Sequence, residues 1–205
     1  MKGRQEDLIN DLEGRVQVGR EKVAHWKEQP QESWQAKPAP EAWNALECIE
    51  HLNRYNAFYL PEVERVLASA ESVQRKTGKS APEIFKSTWL GEYFSKSVMP
   101  RTEPGEKLNT MNTFKVMNPA NQALTSEVVE TYLKDQDHWL ALLDRCRAVN
   151  LTRNKTAISI SKIIKLRLGD TLRVVIYHQD RHLVQAQKAL ASAPVLEGWG
   201  REKRN

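Results

Sequence analysis

The chain has 205 residues, of which 40% are hydrophobic and 28% are charged, so a largely disordered protein is excluded and one folded domain over residues 1–205 is expected. The formal net charge is +5, but the basic residues are dispersed. No helix-turn-helix, zinc-finger spacing or aromatic single-strand platform accompanies them, so specific binding of nucleic acid is not expected.

Hydropathy and cysteine usage point to the inside of a cell. No stretch approaches the roughly 20 apolar residues that cross a bilayer, and the charged N-terminal stretch lacks the apolar region of a signal peptide. We therefore expect a cytoplasmic protein that does not enter a membrane. Cys48 and Cys146 each fall inside a helical pattern, which favours core thiols in a reducing compartment over a disulfide between them.

Helical periodicity marks the first half of the chain. Apolar residues recur at steps of three or four from Leu8 onward, which predicts a first helix ending before Pro30. A second helix is predicted to begin near residues 40–43, where proline is tolerated in a first turn. Its pattern continues towards Gly78, with a kink expected at Pro61.

Residues 78–125 lack a long periodic segment and contain four prolines. We expect them to form a long crossover with one short helix, in the apolar-aromatic stretch "IFKSTWLGEYF". Such a segment either connects two helices or also lines a functional site, and the sequence leaves both open.

Two more helices are predicted in the second half. Ser126 is the expected N-cap of the third helix, and Asp170 that of the fourth, after a linker that reads "ISISKIIKLRLG". Strand signals are weak, and residues 192–205 are expected to be loosely ordered. The predicted fold is therefore all-α, a four-helix bundle with a long crossover between helices 2 and 3.

Three of the five histidines fall on buried helix faces. His178 and His182 are four residues apart, so both project from one face of the fourth helix, and His51 lies in the apolar stripe of the second helix. Three converging imidazoles could hold a divalent transition metal with open coordination positions, as in catalytic sites. The alternative is a set of hydrogen-bonded core histidines. His25 and His138 fit a helix terminus and a boundary position, and are not expected to be ligands.

Some neighbours of His51 are weaker candidates. Glu47 and Tyr55 lie one turn before and after it, where each could orient an imidazole or shuttle a proton. The alternatives are a partly solvated carboxylate and a core tyrosine, and these are favoured. Cys48 is read as a core thiol rather than a ligand. Residues 179–181 are expected to face outward or towards a neighbouring subunit.

The stretches "WNALECIEHLNRY" and "LGDTLRVVIYHQDRHLVQAQKAL" resemble the DinB/YfiT-like superfamily over roughly residues 5–190. In that superfamily a tryptophan precedes the histidine of the second helix, and an HxxxH pair lies on the last long helix. The resemblance implies a four-helix bundle whose metal, zinc or nickel in most members, is held by His51, His178 and His182. It also implies a possible homodimer.

Members of that superfamily with assigned activities are mostly thiol-dependent. They include transferases that use bacillithiol or mycothiol, glutathione-like transferases and a maleylpyruvate isomerase. The resemblance therefore implies a metal-dependent transferase that joins a low-molecular-weight thiol to a small electrophile. A metal-dependent hydrolase and a non-catalytic metal-binding bundle with a stress-response or interaction role remain as alternatives.

Overall fold

A computed structural model describes residues 1–78, 80–100, 113–159 and 161–193, apart from the side chain of Lys162. This part of the chain is mostly helical. Its helices, in chain order, are α1 (Gln5–Trp26), α2 (Gln31–Gln35), α3 (Ala45–Thr77), α4 (Trp89–Val98), α5 (Glu127–Cys146) and α6 (Leu168–Ala191), with a 3-10 turn at Lys115–Met117.

The four long helices enclose the hydrophobic core. Helix α3 packs against α5 and α6, and α1 packs against the same two helices. The apolar stripe of α1 is buried as its periodicity predicts, with Leu12 and Val23 fully enclosed. Cys48 and Cys146 are both buried and free, so the expectation of core thiols is confirmed. None of the helices in the described ranges combines the length and apolarity that a bilayer crossing requires.

Helix α3 is continuous across 33 residues. It begins with a capping box in which the Asn44 side chain accepts from the Glu47 backbone while the Glu47 side chain accepts from the Asn44 backbone. It ends at Gly78, which is left-handed with φ of 64°. Pro61 does not end the helix, because the carbonyl of Ala57 that loses its partner lies on the exposed side, where solvent can bond to it.

The described residues form four short strands, which the sequence did not predict. Strand β1 (Lys2–Arg4) pairs with β2 (Ile84–Lys86), and β3 (Lys155–Ile158) pairs with β4 (Ser161–Arg167), both antiparallel. The β3–β4 hairpin occupies the stretch that the sequence suggested to be a linker, and it packs on α3 and α6. The described part of the chain is therefore mostly helical but carries two small sheets.

In the described part of the segment 78–125, the short helix predicted for the "IFKSTWLGEYF" stretch is present as α4. Residues 101–112 lie outside the described residues. Helix α4 packs directly against α6. A Cβ atom at Gly91 would lie 2.1–2.5 Å from the carboxylate atoms of Asp170, so glycine is required for this close approach.

The predicted N-cap role of Asp170 is wrong. Helix α6 begins at Leu168 with Arg167 as its N-cap, so Asp170 already lies in the first turn. Its carboxylate is fully buried and accepts hydrogen bonds from the Thr88 backbone and hydroxyl, both at 3.0 Å, and from the Ser87 hydroxyl. Asp170 therefore anchors the start of α4 rather than capping its own helix.

The N-cap of α5 is at Ser126, as predicted, but the side chain of Ser126 makes no capping hydrogen bond. Its backbone is already helical (φ −60°, ψ −15°), whereas a capping side chain requires an extended backbone. The Thr125 hydroxyl instead accepts from the Glu127 backbone at 3.4 Å. Of the tail 192–205, only residues 192 and 193 are described, so the expectation for the rest lies outside the described residues.

Candidate metal centre

Helices α3 and α6 bring three imidazoles together. His51 comes from the buried face of α3, and His178 and His182 from the facing side of α6. The Nε2 atom of His178 lies 3.4 Å from that of His51 and 3.1 Å from that of His182. One nitrogen from each residue lies within 4.8 Å of the others. The predicted cluster is therefore present, while its role as a set of metal ligands stays a prediction.

Hydrogen bonds to the Nδ1 atoms of His51 and His182 fix the tautomers of these two rings. The Nδ1 atom of His51 lies 2.7 Å from the backbone carbonyl of Met117, and that of His182 lies 3.0 Å from Oε1 of Gln185. Because these oxygens only accept, each Nδ1 carries the hydrogen and each Nε2 keeps a lone pair. At least two lone pairs therefore face the centre of the cluster, as they would towards a cation.

The spacing of the nitrogens fits one coordination shell. Zinc–imidazole bonds of about 2.0–2.1 Å place two ligand nitrogens about 2.9 Å apart at a right angle and about 3.4 Å apart at the tetrahedral angle. The observed separations of 3.1 and 3.4 Å lie within this interval. Neutral nitrogen donors favour zinc, nickel, cobalt, iron(II) or copper over magnesium and calcium. The three residues therefore could hold a divalent transition metal.

Burial keeps all three imidazoles neutral. Desolvation lowers the pKa of His51 to about 4, aided by the charge of Arg54 and opposed by the hydrogen bond to Met117. Desolvation, together with the neighbouring imidazoles, lowers the pKa values of His178 and His182 well below their ordinary value. Near pH 7 the rings are therefore in the neutral form that binds metals.

Two aromatic side chains enclose the cluster. The Trp43 ring centroid lies 4.9 Å from that of His51 and 5.8 Å from that of His182. The Tyr55 ring lies 4.9 Å from His51 and 4.5 Å from His178. Burial, with a smaller contribution from Tyr59, raises the pKa of Tyr55 to about 12. Tyr55 therefore remains protonated at neutral pH, so it can donate a hydrogen bond but is not a general base.

The carboxylate of Glu47 bonds to groups around the start of α3 and not to an imidazole, so the idea that it orients an imidazole is wrong. Its buried carboxylate accepts from the backbones of Asn44 at 2.9 Å and Asn121 at 3.0 Å, and pairs with Lys37 at 3.3 Å. None of its hydrogen bonds within the described residues reaches an imidazole. As the third residue of α3, Glu47 turns back to the helix start because the free backbone N–H groups there need acceptors.

The remaining candidates lie outside the cluster, as expected. His25 is exposed in the last turn of α1, and His138 is half-buried with Nε2 3.7 Å from a carboxylate oxygen of Glu64. Cys48 is enclosed in the core, and burial raises the pKa of its thiol. Cys48 is therefore a core thiol and not a member of the histidine cluster.

The expectation that residues 179–181 face outward or towards another subunit fails for Gln179. This side chain is buried and its Nε2 donates to Oδ1 of Asn56 at 3.2 Å. Asp180 is turned towards α1, where it accepts from Arg15 at 2.7 Å. The cause is that α6 packs against both α1 and α3, so more than one of its faces is covered.

A cavity of about 370 Å³ opens beside the histidines. Thr113 and Phe114, which come from the segment 78–125, form part of its wall together with Phe94 and Val98 of α4. Described residues of the segment 78–125 thus line this cavity, which is one of the two roles that the sequence left open. The backbone carbonyl of Met117 belongs to the same segment, and no residue-type signal could have predicted its contact with His51.

The DinB superfamily model matches residues 16–186, a range that includes all three clustered histidines. The chain therefore belongs to the DinB superfamily. No curated protein and no solved structure matches it.

Proposed function

We propose that the chain binds one divalent transition metal, zinc or nickel, through His51, His178 and His182. The observation that carries the proposal is the convergence of three neutral imidazoles, two of them with their lone pairs directed inward. Membership of the DinB superfamily supports it. We further propose that the four long helices form the four-helix bundle of that superfamily, with the segment 78–125 as the crossover.

We propose that the protein is a transferase that joins a low-molecular-weight thiol to a small electrophile. The thiol sulfur forms a bond to the electrophilic carbon, the leaving group departs with its bonding electrons, and the thiol proton ends on the leaving group. A bound divalent ion would supply Lewis acidity that favours the thiolate. The protonated Tyr55 is suited to donate a hydrogen bond, and not its proton, to the departing group. The Trp43 ring contacts His51 and His182, where it would limit access of water from that side.

The metal proposal is tested by titrating metal-stripped, tag-free protein with Zn²⁺ or Ni²⁺. We expect one ion per chain and a higher melting temperature, since a ligand that binds only the folded state stabilises it. His51→Ala and His178→Ala should lose both effects. His25→Ala and His138→Ala are matched controls that remove a histidine outside the cluster and should keep them. Equal binding by all four variants would contradict the assignment.

Catalysis is tested by assaying bacillithiol, mycothiol and glutathione with a panel of alkyl and aryl electrophiles, using metal-loaded and metal-stripped protein. We expect thioether formation that requires the metal and at least one of these thiols. Turnover of esters or amides by water alone would instead identify a hydrolase. Full metal binding without turnover of any substrate would identify a non-catalytic metal-binding protein.

A further inference from the structure

The cavity beside the histidines has apolar walls. Its apolar lining comes from α4, α6, the β3–β4 hairpin and the segment 113–117, and includes Phe94, Val98, Phe114, Leu166, Val174 and Val175. At about 370 Å³ it is near the small end of the range of ligand sites, roughly 300–1,000 Å³. Its size fits a molecule with one ring or two fused rings.

Three polar side chains of the wall, those of Tyr59, Ser159 and Arg181, have hydrogen bonds to the protein. The Tyr59 hydroxyl lies 3.2 Å from Oγ of Ser159 and accepts from the Ser159 backbone at 3.1 Å. Arg181, which also lines the cavity, donates to the carbonyl of Ser97 at 3.5 Å. A sugar-like ligand would lose its bonds to water without regaining them along the apolar walls, which is costly. An apolar ligand gains by leaving water.

We propose that this cavity takes the electrophile, and that its substrates have a small aromatic or otherwise apolar body. The inference rests on the proposed transferase function, in which two substrates must be accommodated. The thiols named above carry sugar or charged peptide groups, so the apolar cavity suits the electrophile better. The reactive carbon would then face the three histidines, while the apolar body contacts Phe94, Phe114 and Val174.

The test uses ¹⁹F NMR on metal-stripped protein, so that failure of metal binding cannot be mistaken for failure of this inference. 5-Fluoroindole is the apolar probe, and 2-deoxy-2-fluoroglucose is a polar probe of similar size. We expect saturable binding of 5-fluoroindole and at least tenfold weaker binding of the sugar. Equal or tighter binding of the sugar would overturn the proposal.

Two further measurements locate the probe. Val174→Phe fills the cavity and should weaken 5-fluoroindole binding at least tenfold, whereas Val18→Phe, an identical change at a site 50% exposed on α1, should leave it unchanged. Methyl shifts in the wild-type protein provide a readout that does not depend on folding of a variant. Binding that perturbs neither Val174 nor Val175 would contradict the assignment.

A separate set of contacts concerns Arg54, one turn after His51 on α3. Its guanidinium donates to the carbonyls of Val116 at 3.1 Å and Asn118 at 2.9 Å, and its Nε donates to Glu50 at 2.8 Å. Met117 lies between the two bonded carbonyls, and its own carbonyl accepts from His51. Arg54 therefore attaches the 3-10 turn to the helix that carries His51.

We infer that Arg54 is a positioning residue, which holds the Met117 carbonyl against His51 and so keeps the Nε2 lone pair directed at the cluster. This inference also rests on the proposed metal site. If Arg54 acted on the metal only through its charge, its removal would change metal affinity in the opposite direction. A positive charge near a cation weakens binding, so removing the charge alone would tighten metal binding, whereas removing the positioning contacts would loosen it.

Arg54→Gln should weaken Zn²⁺ binding by about 10- to 100-fold, the usual effect of losing a group that orients a ligand. Arg65→Gln is a matched control, because Arg65 lies on the same helix but pairs with Glu62 at the surface. It should bind Zn²⁺ like the wild type. Tighter or unchanged binding in Arg54→Gln would overturn the inference.

The His51 tautomer gives a readout that needs no metal. Long-range ¹H–¹⁵N NMR of the metal-stripped protein should show the hydrogen on Nδ1 in the wild type and in Arg65→Gln. In Arg54→Gln we expect a mixture of tautomers or the Nε2–H form. An unchanged Nδ1–H tautomer in Arg54→Gln would contradict the positioning role, even if the protein bound no metal.

Discussion

Asn56 connects three of the long helices through buried hydrogen bonds. Its Oδ1 atom accepts from Nε1 of Trp139 on α5 at 2.9 Å and from Nε2 of Gln179 on α6 at 3.2 Å. The side chain is fully buried, so neither donor can turn to bulk water if the acceptor is lost. Asn56 follows Tyr55 and Gln179 follows His178, so this contact also sets how the two site-bearing helices meet.

We expect Asn56→Ala to lower the free energy of unfolding by about 2–4 kcal/mol, since it leaves two buried donors without an acceptor. Asn53→Ala removes one hydrogen bond, to the carbonyl of Val128 at 2.9 Å, and should cost about half as much. Urea denaturation measures both. Equal stability of the two variants would show that the bonds to Asn56 contribute no more than the single bond of Asn53.

For single residues, the sequence predicted which side chains converge at the site better than it predicted their hydrogen-bond partners. The i, i+4 spacing of His178 and His182 and the stripe position of His51 were enough to expect their convergence. The acceptor for His51 is a backbone carbonyl, which every residue possesses, so no pattern distinguishes Met117. Glu47 was misjudged because the demand for acceptors at the start of α3 outweighs its closeness in sequence to His51.

Helix α4 is attached to α6 by a close contact between Gly91 and Asp170. Asp170 bonds to the N-terminal residues of α4, and the absence of a side chain at Gly91 allows the carboxylate to approach. Thr88 both donates to Asp170 and accepts from the Gly91 backbone at 2.9 Å. Because Phe94 and Val98 line the cavity, this contact positions one of its walls.

We expect Gly91→Ala to destabilise the protein by about 1–3 kcal/mol, because the added Cβ would overlap buried and hydrogen-bonded atoms. Gly14→Ala is the matched control: it lies inside α1, and a Cβ there meets nothing within 4 Å. That substitution should be neutral or stabilise by up to about 1 kcal/mol, because alanine favours helices. Thermal denaturation measures both, and a similar response of the two variants would contradict the packing account.

At the scale of elements, the helices were predictable and the strands were not. Long apolar stripes define helices, whereas β4 has only seven residues and exposes both Ile163 and Ile164. It therefore lacks the alternation that marks a strand with one buried face. The hairpin forms because α3 and α6 provide a surface for it, which is a property of the folded chain and not of the local sequence.

Ionic contacts link the amino group of Met1 and α6 to Glu92 of α4. The side chain of Arg173, which is buried, donates to Glu92 at 2.9 Å, and the amino group of Met1 donates to the same carboxylate at 3.2 Å. Partial burial opposes ionisation of Glu92, but these two hydrogen bonds and charges outweigh it and lower its pKa from 4.5 to about 2.

The lowered pKa predicts a pH dependence of stability. A carboxylate whose pKa is lower in the folded state contributes stability above its unfolded pKa, and this stability is lost as the pH falls through the folded pKa. Glu92→Gln should therefore be less stable than the wild type near pH 7. The difference should shrink between about pH 4.5 and pH 2. Denaturation curves across this range measure it, and a difference independent of pH would contradict the ionic contribution.

For the whole chain, the sequence predicted an all-α fold, of which the mostly helical character is confirmed. Membership of the DinB superfamily and the histidine cluster were also predicted, and both are confirmed. The homodimer stays a prediction. The cavity could not be predicted, because its walls come from segments far apart in the chain, such as those of Phe94 and Leu166. Only the packing of α4 and the hairpin on α6 brings them together.

The most direct measurement is X-ray absorption at the zinc edge of the tag-free protein loaded with one Zn²⁺ per chain. The geometry predicts three imidazole nitrogens at about 2.0–2.1 Å from the metal in the wild type, whereas His51→Ala, loaded in the same way, should not retain zinc with this spectrum. Failure of the protein to retain zinc, or a zinc spectrum that is the same in the wild type and in His51→Ala, would contradict the account.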